Sequence, residues 1–241
     1  MRMTVYGNNA TCPEADGACS CFLIEAEGRR ILLDMGNGSL AKLQKDVDLA
    51  ALDLIAISHL HFDHFGDLFC AKYQLESRRA CGEAIPRIPL LTPRLPAWAR
   101  AELCTNDVFD PHVIEDGLRF RMGDAALEFI GTVHLVESMA FGWRRREGHW
   151  PIRATRARVR SLRACRRRGP VFVRGDADEG RVRKRDITCA RHGGTLAAEN
   201  GAKRLLLTHD QTPQAQTVLR EARACFERAE LTAIGKTWEV D

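Results

Sequence analysis

Ten residues, Ser58-His59-Leu60-His61-Phe62-Asp63-His64-Phe65-Gly66-Asp67, constrain this chain more than any other stretch. Four of them can bind a transition metal: His59, His61, Asp63 and His64. They follow Leu54-Ile55-Ala56-Ile57, an apolar run that reads as a buried strand. The ligands therefore sit at a strand end and on the turn leaving it. His59 and His61 are two apart, so on extended chain they project to one side. Asp63 and His64 are adjacent, so they diverge and can serve a second ion beside the first. Imidazole and carboxylate ligands suit zinc, and less selectively manganese or iron. The bland alternative is three unrelated surface histidines. Histidine is scarce, eight in 241 residues, and three fall within six residues together with an acid, which disfavours that alternative.

His-x-His-x-Asp-His after an apolar strand resembles the metallo-β-lactamase superfamily, and within it the ribonuclease Z-like branch with its compact bacterial phosphodiesterases. The resemblance covers residues 1 to about 145 and, less closely, 195–241. It implies an α/β fold, a four-layer αββα sandwich with metals at the lip between two sheets. Position by position, it implies that His59, His61 and His134 hold one zinc and that Asp63, His64 and His209 hold the other. His134 ends a strand, Leu127–Val133, and precedes Glu137-Ser138; His209 follows Arg204–Thr208. Two zinc ions about 3.5–4 Å apart share one hydroxide and clamp a phosphate in such sites. Asp63 is the residue the resemblance points to as proton acceptor from the attacking water. Asp34 can hydrogen-bond a metal-binding histidine from behind or simply cap a turn, and the sequence leaves both open.

The remaining pattern is that of one α/β domain spanning 1–241. Strands are expected at Met3–Tyr6, Cys19–Glu25 and Arg30–Leu33, with a turn at Glu27-Gly28. Helices are expected at Leu40–Val47, Gly66–Glu76 and Ala97–Leu103, and a hairpin over Asp110–Asp124. A helix closes at Asn200-Gly201. Another, Pro213–Arg228, presents Val218, Ala222 and Phe226, and strands at Leu231–Ile234 and Thr237–Val240 end the pattern. The nine cysteines form no Cys-x-x-Cys pair and fit reduced thiols. With no apolar run near the roughly 20 residues of a membrane span and a strand starting at Met3, a cytoplasmic location is expected.

Charge divides the chain unevenly. Residues 144–191 carry 16 Arg and one Lys against five acids, a net +12, while the rest of the chain is net −8. The block 146–190 departs from the family. The resemblance requires a bridging Asp near Thr155, where no acid stands, and a His-Leu motif further on. Asp176 follows a strand-like run but is 42 residues after His134 and only 33 before His209. We propose a frameshift to account for this. Joining each codon's third base to the next two, His149-Trp150-Pro151 must begin Leu-Ala. The run to Val159 can then continue Tyr-Thr-Gly-Asp-Thr-Gly-Pro-Cys, its Asp falling across Ala154 and Thr155. In the same frame Asp186–Cys189 can spell His-His-Leu. The reading expects the block to be loose and solvent-exposed, with a strand, a helix and another strand lost from the core. It also expects weak turnover.

The function expected is a metal-dependent hydrolase, a zinc phosphodiesterase acting on a phosphodiester small molecule such as a cyclic nucleotide, or on RNA. Compact length and the lack of a long inserted arm argue against full tRNA 3′ processing. A thioester or lactam hydrolase fits less well. The alternatives from other classes are a nucleic-acid-binding protein using the Arg-rich block and a catalytically dead remnant. No membrane partner is expected; a homodimer is compatible with the family.

Overall fold

The apolar run ahead of the histidines becomes an interior strand because its neighbours on both sides are parallel and equally apolar. A computed structural model describes residues 1–105, 107–132, 134–145, 148–150, 154–156, 171–174, 182–208 and 215–239. It divides into two compact units, one of Met1–Ile114 with Ala233–Glu239 and one within Glu115–Thr232.

The first unit holds a seven-stranded sheet. Strands β1 (Arg2–Gly7), β2 (Cys21–Ala26) and β3 (Arg29–Leu33) are antiparallel, and β4 (Leu54–Ala56), β5 (Ile88–Thr92) and β6 (Phe109–Val113) continue parallel to β3. The last strand, Thr237–Glu239, pairs with β1 at the far edge. The β2–β3 hairpin turns at Glu27 and Gly28, both with positive φ (53° and 71°), as a tight two-residue turn requires. β4 is wholly buried, the mark of an interior parallel strand. Its register sets Ile31 beside Leu54 and Leu33 beside Ala56. The residues leaving β3 and β4, Asp34 and Ser58, therefore emerge together at the carboxyl end of the sheet, where parallel α/β sheets place their sites.

Helices α1 (Ser39–Leu43), α2 (Phe62–Phe65), α3 (Leu68–Ala80) and α4 (Ala97–Leu103) belong to the same unit. The core joins Leu32, Ile55, Ile57, Leu68, Leu75, Leu90 and Phe109, among others. Lys72 on α3 is buried, only 2% exposed. Its Nζ donates to the Glu102 carbonyl at 2.8 Å and to Thr105 Oγ1, and lies 3.5 Å from the Glu102 carboxylate and 3.8 Å from that of Glu76. It thereby ties α3 to the C-terminal end of α4. Lys72→Ala removes these bonds to the end of α4, and urea unfolding is expected to show a loss of about 1–3 kcal/mol.

Several elements differ from the sequence reading. The helix expected at Leu40–Val47 ends at Leu43, and the strand expected at Leu231–Ile234 is Ala229–Leu231. Asp110–Asp124 is not a hairpin. Phe109–Val113 pairs in parallel with β5, and Ile114 N–H extends that pairing to the Thr92 carbonyl at 2.9 Å. Asp110 and Pro111 read as turn residues, yet β6 is an edge strand, where proline is tolerated. The helix expected from Gly66 starts earlier, as α2, and resumes as α3.

In the second unit β7 (Arg119–Met122), β8 (Ala125–Gly131), β9 (Met139–Arg145) and β10 (Gly148–Trp150) form an antiparallel sheet. Alternation buries Ala125, Leu127 and Phe129, and Phe129 meets Phe141 edge-on at 5.6 Å. A parallel sheet of β11 (Ala154–Arg156), β12 (Val171–Arg174), β13 (Leu205–Thr208) and β14 (Ala229–Leu231) accompanies α5 (Val182–Glu199) and α6 (Ala215–Arg223). Gly194 allows α5 to close on the residues ending α6: a Cβ there would lie 2.6 Å from the Ala222 carbonyl oxygen. α5 ends as expected, with Gly201 at φ 61° and Ala202 N–H reaching the Ala197 carbonyl. Phe226 lies beyond α6, which ends at Arg223, and packs partly buried against the same core. Where loss of core elements over 146–190 was expected, the backbone forms β10, β11, β12 and the first half of α5. The intervening residues, Asp176 among them, lie outside the described set. So does Val240, the residue expected to end the last strand.

Among the described residues, Cys21, Cys70, Cys81, Cys104 and Cys225 are in no disulfide. Burial pushes the Cys21 thiol well above its usual range. No helix among the described residues is long and apolar enough to cross a membrane.

Candidate metal centre

Four of the six ligands expected from sequence come together in the first unit. His59 is fully buried, Asp63 and His64 nearly so, and His61 is half-buried. His61 is the N-cap of α2 with extended backbone, φ −98° and ψ 145°. His59 and His61 therefore do share one side of an extended segment, their rings 4.9 Å apart at 72°. Asp63 and His64 do not diverge as adjacent residues on extended chain would. They lie in α2, and Asp63 Oδ2 stands 3.3 Å from His64 Nε2. The His64 ring is 4.0 Å from that of His59, so three imidazoles and a carboxylate form one cluster.

The cluster is held from behind by two residues at the strand ends. Asp34 accepts from the Ser58 N–H at 2.7 Å through Oδ1. Its Oδ2 accepts from the Ser58 hydroxyl at 2.9 Å and from His64 Nδ1 at 2.6 Å. Of the two roles left open for Asp34, the structure shows the histidine-orienting one. Because the Ser58 proton goes to the carboxylate, Ser58 Oγ is left to accept from His59 Nδ1, 3.0 Å away. Both rings thus carry their proton on Nδ1 and keep the Nε2 lone pair for coordination. Asp34 sits at φ 60°, a left-handed conformation that aspartate tolerates better than most residues.

A second loop supports the turn. Met35 N–H donates to the His64 carbonyl at 2.7 Å, and Asp67 N–H to the Met35 carbonyl at 3.1 Å. Asp67 Oδ2 in turn accepts from Leu40 N–H at 2.9 Å, anchoring α1. Gly36 passes so close to Asp63 that a Cβ would lie 2.0 Å from its carbonyl oxygen. The sequence marks Gly36 only as a glycine of a tight loop and assigns Ser58 no role. Their roles depend on parallel strand register, which no local pattern encodes, although Asp34-Met35-Gly36 does directly follow a strand.

His134 lies in the second unit, after β8. It is half-buried, and its Nδ1 accepts from Leu135 N–H at 2.6 Å. His209 lies outside the described residues. The donor set that is described, imidazole nitrogens with fixed tautomers beside a carboxylate, fits a divalent transition metal such as zinc.

Residues 15–74 match the metallo-beta-lactamase superfamily. The structure is similar to that of the metallo-beta-lactamase fold protein YhfI from Bacillus subtilis, with a TM-score of 0.85, 20% identity and 98% of each chain covered. The fold is that of the metallo-β-lactamase superfamily. Human tRNase Z, short form, shares it at a TM-score of 0.73 and 19% identity, with each chain covered in full. By sequence the chain is similar to ribonucleases Z. It is 24% identical to the ribonuclease Z of Halorubrum lacusprofundi across 94% of this chain and 93% of that protein. It is 35% identical over 68 residues to the probable metallo-hydrolase YhfI of Bacillus subtilis, a match spanning 28% of that relative's length.

Proposed function

We propose that this metallo-β-lactamase-fold chain is a metal-dependent phosphodiesterase whose substrate is RNA or a small phosphodiester. The carrying observation is the histidine cluster with its Nδ1 protons fixed by Asp34 and Ser58, an arrangement that serves coordination and nothing else evident in the core. Its similarity to a ribonuclease Z and to a tRNase Z favours phosphoryl chemistry over thioesters or lactams. In this reading His134 joins His59 and His61 in holding one zinc, and Asp63, His64 and His209 hold a second. When bound, such a pair of ions supplies Lewis-acid charge at the phosphoryl oxygens and lowers the pKa of water. The chain itself contributes the rest. Asp34 and Ser58 keep two imidazoles in one orientation, and an Asp63 carboxylate oxygen accepts the proton from the water attacking phosphorus.

The Arg-rich block bears on turnover. No acid stands near Thr155, where the resemblance places the bridging carboxylate, and turnover is expected to be low. Hydrolysis of bis(p-nitrophenyl) phosphate in zinc, by this chain and by its frame-repaired counterpart, tests both ideas. The repaired chain is expected to be faster and to stop on chelation. Equal rates contradict the frameshift, and no hydrolysis by either contradicts the phosphodiesterase.

A further inference from the structure

Metal chemistry accounts for the histidines but not for the aromatic rings beside them. Phe62 lies between His61 and Asp63 and is 60% exposed; Trp98, in the first turn of α4, is 57% exposed. Phe62 is stacked on the fully buried Phe65, with centroids 5.5 Å apart and an 18° interplanar angle. Phe65 is fixed in turn by Phe69, edge-on at 5.5 Å. Trp98 flanks Phe62 at 6.1 Å and 42°. Leu95, just before α4, is 54% exposed. The two outer rings are thus each more than half exposed while a core ring backs one of them, and Lys72 ties the helix bearing the other to α3.

Such a platform needs an occupant, and its size narrows the choice. The exposed parts of Phe62, Trp98 and Leu95 amount to on the order of 350 Å². A stable interface with a second copy takes about 800 Å² from each partner. A planar ring fits the available area, and stacking on aromatic side chains accepts any base because every base has a π-face. Phe62 is also the chain neighbour of two metal-ligand candidates, His61 and Asp63, so the platform and the cluster share α2 and its cap.

We propose that Phe62 and Trp98 form a base-stacking subsite, so that the substrate is a nucleotide phosphodiester with an unstacked base next to the scissile phosphate. This rests on the phosphodiesterase reading and narrows it. Phosphodiesters without a base bind less tightly.

Isothermal titration of the full chain in zinc, with AMP and with ribose 5-phosphate, tests the subsite without relying on turnover. AMP is expected to bind roughly tenfold to hundredfold more tightly. Phe62→Leu and Trp98→Leu each diminish that preference, and Trp98→Phe keeps most of it. Tyr73→Leu, at an exposed aromatic on α3 outside the platform, serves as the control for nonspecific ring effects. Equal affinities in the unaltered chain, binding of neither ligand, or a preference that survives both leucine variants overturns the proposal. So does a change from dimer to monomer in Trp98→Leu without any change in preference, which assigns the rings to a second copy. A preference for AMP lost in both variants, with no cleavage of bis(p-nitrophenyl) phosphate, keeps the subsite and removes the phosphodiesterase. Cleavage without the preference does the reverse.

Discussion

Asp34→Ala is expected to lower zinc affinity about tenfold to hundredfold, the usual effect of removing the group that orients a ligating histidine. The carboxylate accepts three hydrogen bonds, from Ser58 N–H, Ser58 Oγ and His64 Nδ1. Without it the Ser58 hydroxyl is released and can donate toward His59, whose Nδ1 proton is then no longer fixed. His64 loses the partner that holds its proton on Nδ1. Leaving these buried donors unmatched costs about 1–3 kcal/mol each before relaxation, so urea unfolding is expected to register a marked loss too. Alanine at φ 60° adds backbone strain. Asp34→Gly separates the two effects, since glycine takes that conformation freely. If Asp34→Gly binds zinc as tightly as the unaltered chain, the carboxylate does not orient the ligands. Competition with a chromophoric chelator gives the affinities.

Gly36→Ala is expected to have the other large effect, on folding and on metal together. An added Cβ would lie 2.0 Å from the Asp63 carbonyl oxygen and 2.6 Å from both its carbonyl carbon and Cys19 Cβ. Two of those atoms are backbone, so relief requires the α2 turn to move away from β3. Overpacking of this kind costs about 3 kcal/mol or more where backbone has to give way. The shift displaces Asp63 and His64, and zinc binding falls with stability. Gly28→Ala is the comparison. Gly28 has positive φ, 71°, but nothing lies within 4 Å of its Cβ position. It is expected to cost about 1–2 kcal/mol through strain alone and to leave metal binding intact. Equal losses from the two variants would mean that the contact with Asp63 is not decisive.

Sequence reveals the part of this site that local geometry encodes. His59 and His61 flank one residue on extended chain, and that period survives in the structure. Asp63 and His64 were read as diverging because a four-residue helix is too short to leave a periodic trace. Asp34 and Ser58 are 24 residues apart, and only the parallel β3–β4 register brings them together. β6 was read as half of a hairpin because Asp110 and Pro111 carry turn chemistry that an edge strand can absorb. Nothing in the sequence marks Phe62 and Trp98 as exposed, since exposure follows from packing and not from residue type. Over 146–190 the high Arg content hides any apolar period, yet Val171-Phe172-Val173 still marks β12.

Metal content is the most direct test of the central claim that these imidazoles and carboxylates bind divalent ions. The purified chain, stripped by chelation, reloaded with zinc and desalted, is to be measured by elemental analysis beside a His59→Ala/His64→Ala double variant of verified fold. The expected result is ~2 zinc ions per chain and their loss in the variant. Zinc retained in full by the variant, or none bound by the unaltered chain, contradicts it.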